Sequence, residues 1–227
     1  MAAHDARTYE HHPASAYQDR EGRNQFIAAQ FAAELGSSVL NVGGGGKRHL
    51  AQFLPSTTRY VEVDIAGTPD VTVDLERELP LAFGDRSFDT VVCSDVLEHV
   101  DNLHAVFAEL CRVARSHVIL SLPNCWANLK GDLARGNGAS GKFYGIPRDR
   151  PEDRHKWFFS FTEAAAFVDD ASARHGFEIA RSIAMGYVHT RWSRRLARVV
   201  VERAFGPRAR FNLFATTLFV ALRRIDG

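Results

Sequence analysis

Cysteine, net charge and long apolar runs are all scarce in this chain, and each scarcity excludes a class of protein. Only Cys93, Cys111 and Cys125 occur among 227 residues. They show no CxxC spacing and no paired zinc pattern, so no metal site is expected, and they read as small core residues of a reducing compartment. The formal net charge of +1 lacks the basic excess of a dedicated nucleic-acid binder, so no nucleic-acid partner is expected. No stretch approaches the ~20 apolar residues of an integral membrane segment. The polar start MAAHDARTYEHHPASAYQDREGRNQ has no apolar run of a signal peptide, and a cytoplasmic location is expected. What remains is ordinary for one globular domain over residues 1–227: 45% hydrophobic, 11% aromatic, with no repeats.

Helical and strand periods alternate. Phe26, Ile27, Phe31 and Leu35 predict a first amphipathic helix. The β-branched runs VLNV, YVEV, DVTV, FDTVVCS and HVILSL predict strands, the last two apolar enough for burial on both faces. Leu103, Val106, Phe107, Leu110 and Val113 predict a helix, with Asp101 as its cap. This alternation implies βαβ units and an α/β, doubly wound, mostly parallel sheet. Residues 125–157 are rich in Gly, Pro, Arg and Asp and predict a long substrate-side loop. Ser160 and Glu163 match a capping box, and strands near FEIARSI and FATTLFVAL follow. Residues 1–20 form an N-terminal extension, for which disorder is the expectation.

The most informative stretch is VLNVGGGGK, Val39 to Lys47, followed about twenty residues later by Asp64. Glycines let a backbone turn sharply and approach a ligand closely, and an acid at that distance suits a ribose. A phosphate-binding P-loop fails, because Arg48 stands where Ser or Thr is needed and Asn41 where the first glycine belongs. A nicotinamide-type GxGxxG is met by Gly43 and Gly45 but broken by Arg48.

The region Val39 to Asn124 resembles the class I S-adenosylmethionine-dependent methyltransferases in five ordered blocks. VLNVGGGGK resembles their first motif and YVEVDIAG the second strand with its ribose-binding acid. The stretch VDLERELPLAFGDRSFDTVVCSDVLEHV, the ELCRVAR helix and HVILSLPN resemble one subgroup with LPF-, LEHV- and LPN-type blocks. Two departures stand out: Asn41 replaces the usual acid of the first motif, and Lys47 its third glycine.

The resemblance implies a Rossmann-like, seven-stranded sheet with an antiparallel last strand. It implies S-adenosylmethionine as cofactor, held by Asn41, Gly43, Gly45, Asp64, Ile65, Asp74, Leu75, Ser94, Asp95 and His99. Asp64 would take the ribose hydroxyls and Ile65 the adenine, with Asp74 and Leu75 flanking it. It also implies a small-molecule or glycan/lipid-linked acceptor, with O-methylation as the expected outcome. An oxygen acceptor calls for a general base, and His155 is the first candidate, with Tyr144 the second. Asn41 and Lys47 motivate the alternative of a non-catalytic ligand-binding or scaffold protein.

The segment Arg191 to Arg210 is strongly basic, and Leu196, Val199 and Val200 repeat helically within it. It reads either as a peripheral membrane or anionic-acceptor contact or as a solvated helical insertion over 190–208 between the last two strands.

Overall fold

The computed structural model describes residues 9–136, 148–149, 151, 153–186 and 192–225. Its strands are β1 (Glu10–His12), β2 (Ser38–Val42), β3 (Arg59–Asp64), β4 (Val71–Thr72), β5 (Phe88–Ser94), β6 (Ala114–Pro123), β7 (Phe177–Met185) and β8 (Thr217–Arg224). They form one sheet in the order β1-β7-β8-β6-β5-β2-β3-β4. β8 is antiparallel to both neighbours and every other pairing is parallel. The expected antiparallel last strand is present, with one strand more than the expected seven. The addition is β1, from the N-terminal extension, whose Glu10–His12 pair with Ile183–Met185.

Successive residues of each central strand serve opposite faces, as the two-residue period of a strand requires. Leu40, Val42, Val91, Cys93, Val118 and Leu120 join a core with α2 (Leu103–Val113) and α4 (Phe161–Arg174). Val39, Val92, Ile119 and Phe219 join a second core with α1 (Arg20–Gln30) and Leu50. Burying each such side chain contributes about 1.5–3 kcal/mol, so the sheet is clamped from both sides.

The helix ends follow local chemistry. Asp19 caps α1 by accepting the Gly22 N–H at 2.7 Å, and Ser160 and Glu163 form the expected capping box of α4. At α2 the cap position falls to Asn102, not Asp101, and no side chain caps it. Residues 125–157 are not irregular throughout, because Cys125–Arg135 form α3. The reason is Asn124, which is fully buried and whose Oδ1 accepts the Ala127 N–H at 3.3 Å. Its Nδ2 donates to the carbonyls of Asn212 at 2.9 Å and Ala215 at 2.7 Å, tying the end of β6 to the entry of β8. The basic segment is helical, as α5 (Trp192–Phe214), and bends at Gly206.

β2, β3 and β4 run outward in one direction while β5 and β6 lie on the other side of β2. The strand order therefore reverses between β2 and β5, and their carboxyl ends open the crevice where doubly wound sheets take ligands.

Candidate active site

The glycine loop follows β2 into this crevice. Gly43, Gly45 and Gly46 adopt φ of 78°, 85° and 66°, values that a side chain disfavours. Space is equally restrictive: a Cβ on Gly43 would lie 2.1 Å from Val96 Cγ2, and one on Gly45 1.9 Å from Arg20 Nη1. Asp64, at the end of β3, holds the loop from the side. Its Oδ2 accepts the Gly45 N–H at 2.7 Å and its Oδ1 the Ala66 N–H at 2.9 Å. Ile65 stands beside it, 65% exposed.

Asn41 is buried, and its register partner on β3 is Glu62. Asn41 Nδ2 donates to Tyr60 Oη at 2.9 Å, and Tyr60 Oη donates to Glu62 Oε2 at 2.5 Å. Burial, reinforced by this bond to Glu62, pushes the Tyr60 phenol far above its ordinary pKa. Glu62 Oε1 accepts the Arg48 N–H at 3.3 Å. The carboxylate that β2 lacks thus stands one strand over, still against the glycine loop. Lys47 points to solvent.

Across the crevice, β5 ends on Ser94 and Asp95. Asp95 has a left-handed backbone (φ 52°). Ser121 Oγ donates to its Oδ1 at 2.5 Å, Arg23 pairs with its Oδ2, and Ser94 Oγ lies 2.7 Å from Ser121 Oγ. Arg20 and Arg23, one turn apart on α1, therefore bring two guanidiniums to the crevice. Tyr17 packs beneath them against Phe26 and Phe219. Burial, aided by the charge of Asp95, raises its pKa to about 12.

Beyond Asp95, a short 3-10 turn at Leu97–His99 presents Glu98 and His99. His155 faces them from the segment that precedes α4, its ring 4.6 Å from that of His99 and perpendicular to it. Two backbone bonds fix the segments to each other: Lys156 N–H and Trp157 N–H donate to the Glu98 carbonyl at 2.7 and 3.3 Å. Asp153 Oδ1 lies 2.6 Å from His99 Nδ1. Glu98 is 1% exposed; burial, then the nearby Asp95, pushes its carboxyl well above the usual range. Trp157 and Phe158 also wall an apolar cleft of about 270 Å³ with Leu103, His104 and Phe167.

The expected residues thus fall into two groups. Asn41, Gly43, Gly45, Asp64 and Ile65 surround the glycine loop, with Asp74 and Leu75 just past β4 on the same sheet edge. Asp74 accepts the Glu76 N–H at 2.9 Å, and the Leu75 carbonyl accepts from Asn102 Nδ2 at 2.9 Å. Ser94, Asp95, His99 and His155 lie past β5, where His99 is placed with His155 rather than with the glycine loop. Tyr144 lies outside the described residues. Sequence reasoning passed over Arg20, Arg23, Glu62 and Glu98; only the Asn41–Glu62 register carried a local signal, through the alternation of β3.

Residues 40–122 match the family model of the methyltransferase domain. The matched span contains the glycine loop, Asp64, Asp95, Glu98 and His99, and excludes α1 and His155. A bifunctional methionine biosynthesis protein (MetXA/MetW) of Rhodopirellula baltica is 35% identical in an alignment that covers 39% of this chain and 17% of that protein. The chain therefore spans under a fifth of that curated relative. Among solved structures, the methyltransferase domain of bacterial CtHen1-C superposes with a TM-score of 0.58 at 14% identity, covering 90% of this chain and 97% of that one. Magnesium protoporphyrin IX methyltransferase from Synechocystis PCC 6803, solved with bound SAH, gives 0.53 at 18%, covering 90% and 83%. The [4+2]-cyclase SpnF gives 0.54 at 12%, covering 91% and 81%. At these identities the structural likeness concerns the fold, a Rossmann-like α/β sheet.

Proposed function

We propose that this protein transfers a methyl group from S-adenosylmethionine to an oxygen of a small-molecule or glycan/lipid-linked acceptor. The observation that carries the reading is the crevice between Gly43–Gly46 and Asp95, with Asp64 and Arg20 against the glycine loop and Arg23 beside Asp95. A nucleoside fits the side of the glycine loop, where the Asp64 carboxylate retains lone pairs for ribose hydroxyls and Ile65 offers apolar surface to adenine. Arg20 and Arg23 offer the cations that a methionine carboxylate requires. Bound there, the sulfonium supplies an electrophilic methyl.

In-line displacement needs orientation and exclusion of water more than covalent help. Ser94 and Asp95 line the approach to the sulfonium, and the His99–His155 pair serves the acceptor oxygen, with His155 as the candidate base. With the donor bound, this pair would take the proton of the acceptor oxygen as that oxygen is methylated. The cleft at Trp157 and Phe158 suits an acceptor with an apolar body.

Calorimetry with S-adenosylmethionine, S-adenosylhomocysteine and NADH tests the donor. Micromolar binding of the first two alone supports the reading; binding of none supports a non-catalytic member of the fold. His155→Ala is expected to lower turnover steeply at constant S-adenosylhomocysteine affinity, and equal loss of both would make His155 structural.

The exposed Leu196, Val199, Val200 and Phe205 of α5, interleaved with the exposed Arg203 and Arg208, support peripheral contact with an anionic lipid surface. Among the described residues no helix is long and apolar enough to cross a membrane. Absence of co-flotation with anionic liposomes would remove the lipid contact.

A further inference from the structure

Glu98, His99 and His155 form a constellation that the methyl-transfer reading leaves partly unexplained. One ligand-type atom from each lies within 4.8 Å of the other two, and Glu98 Oε1 is 3.8 Å from His99 Nε2. Bonds of ~2.1 Å to a tetrahedral cation would set such atoms ~3.4 Å apart, so closure needs shifts of about an ångström or less. The backbone bonds from Lys156 and Trp157 to the Glu98 carbonyl hold the two segments in this register.

Two independent observations point to a ligand. Glu98 Oε2 is buried with no hydrogen-bond partner among the described residues, a state that costs free energy unless something polar or cationic meets it. His99 Nδ1 is engaged by Asp153 at 2.6 Å, which leaves Nε2 on the Glu98 side. A carboxylate behind the distal nitrogen is the usual support of a metal-binding imidazole, fixing its tautomer and orientation.

We propose that Glu98, His99 and His155 bind one divalent first-row transition-metal cation, of the Zn²⁺, Mn²⁺ or Fe²⁺ class. Two imidazoles and one carboxylate match the donor preferences of these ions and leave coordination positions open. Calcium and magnesium prefer all-oxygen sets. Resting on the methyl-transfer reading, the open position takes the acceptor oxygen. The cation then lowers the pKa of the acceptor hydroxyl, whose proton leaves to water before the oxygen–methyl bond forms and the sulfur–methyl bond breaks. On this view His155 acts on the acceptor through the metal rather than by taking the proton itself.

The test uses the full chain, stripped with chelator and titrated calorimetrically with ZnCl₂ and, separately, MnCl₂, with S-adenosylhomocysteine titrated in parallel. One equivalent of at least one metal should bind. His99→Ala and His155→Ala should each weaken it by at least about tenfold, and Asp153→Asn by about 10–100-fold through the supporting shell. His175→Ala, at the far end of α4, should change neither titration. Asp153 is partly exposed, so its variant keeps the test decisive if the two alanine variants fail to fold. Absence of metal binding by the wild type, or unchanged affinity in the folded variants, overturns the proposal. Loss of S-adenosylhomocysteine binding alone overturns the donor assignment and leaves the metal site standing. Binding of S-adenosylhomocysteine without metal does the reverse.

Discussion

Gly43→Ala tests the physical reason for the glycine loop and can be worked through in numbers. Two costs fall on the new methyl group. The φ of 78° at this position costs an L-residue about 1–2 kcal/mol whatever room surrounds it. The methyl would also meet Val96 Cγ2 at 2.1 Å, and overpacking of this kind costs about 1–3 kcal/mol. Gly43→Ala should therefore destabilise by about 2–5 kcal/mol in urea unfolding. Only the second cost can be relieved from outside. Val96→Ala removes the offending methyls, so the Gly43→Ala/Val96→Ala double variant should be more stable than the sum of the singles by about 1–3 kcal/mol, while the backbone cost persists. Distant, independent sites add within about 0.5 kcal/mol. Additivity at that level would refute the steric account, and full rescue would refute the backbone account.

Three further outcomes follow from the same geometry. Asn124→Ala strips two buried carbonyls of their donor, a loss of about 2–4 kcal/mol, and should lower the melting temperature by roughly 5–15 °C in a chain of this size; a shift under about 2 °C would deny Asn124 its corner role. Asp64→Asn leaves one acceptor oxygen for the Gly45 and Ala66 amides, so S-adenosylhomocysteine affinity should fall at least about tenfold by calorimetry, and unchanged affinity would move the ribose elsewhere. Hydrogen bonding from Ser37 and Ser38, with Arg115 nearby, holds the Asp89 carboxyl below the usual range. A depressed folded-state pKa contributes stability above the unfolded value near ~3.9 that is lost as pH falls through the folded one. The gap between wild type and Asp89→Asn should thus be full at pH 7 and shrink as pH drops below about 4; a pH-independent gap would contradict this.

What the sequence revealed followed the range of the interactions involved. α2 and α4 were legible because their apolar period and the Ser160–Glu163 box are local, and β5 and β6 because doubly buried strands are apolar throughout. α3 was hidden, since its start depends on Asn124, whose other bonds reach α5 and the turn that leads from it into β8. β1 was hidden as well: EHH has no strand pattern and is held by pairing with β7. In the site, glycines and acid were readable because their chemistry is a spacing along one βαβ unit. The Arg23–Asp95 pair and the Glu98–His99–His155 cluster join segments far apart in the chain, and no spacing rule encodes them.

The short strand β1 has a consequence for how the molecule behaves as a whole. Without it β7 would be the outermost strand, presenting unpaired amide and carbonyl groups of the kind that template association between chains. The same stretch continues through Tyr17 into Arg20 and Arg23. Sealing of the sheet margin and delivery of two site cations are therefore tasks of one continuous piece of backbone. A ligand that gathers the arginines should tighten the margin too, visible as slower amide exchange in β7, some distance from the ligand itself.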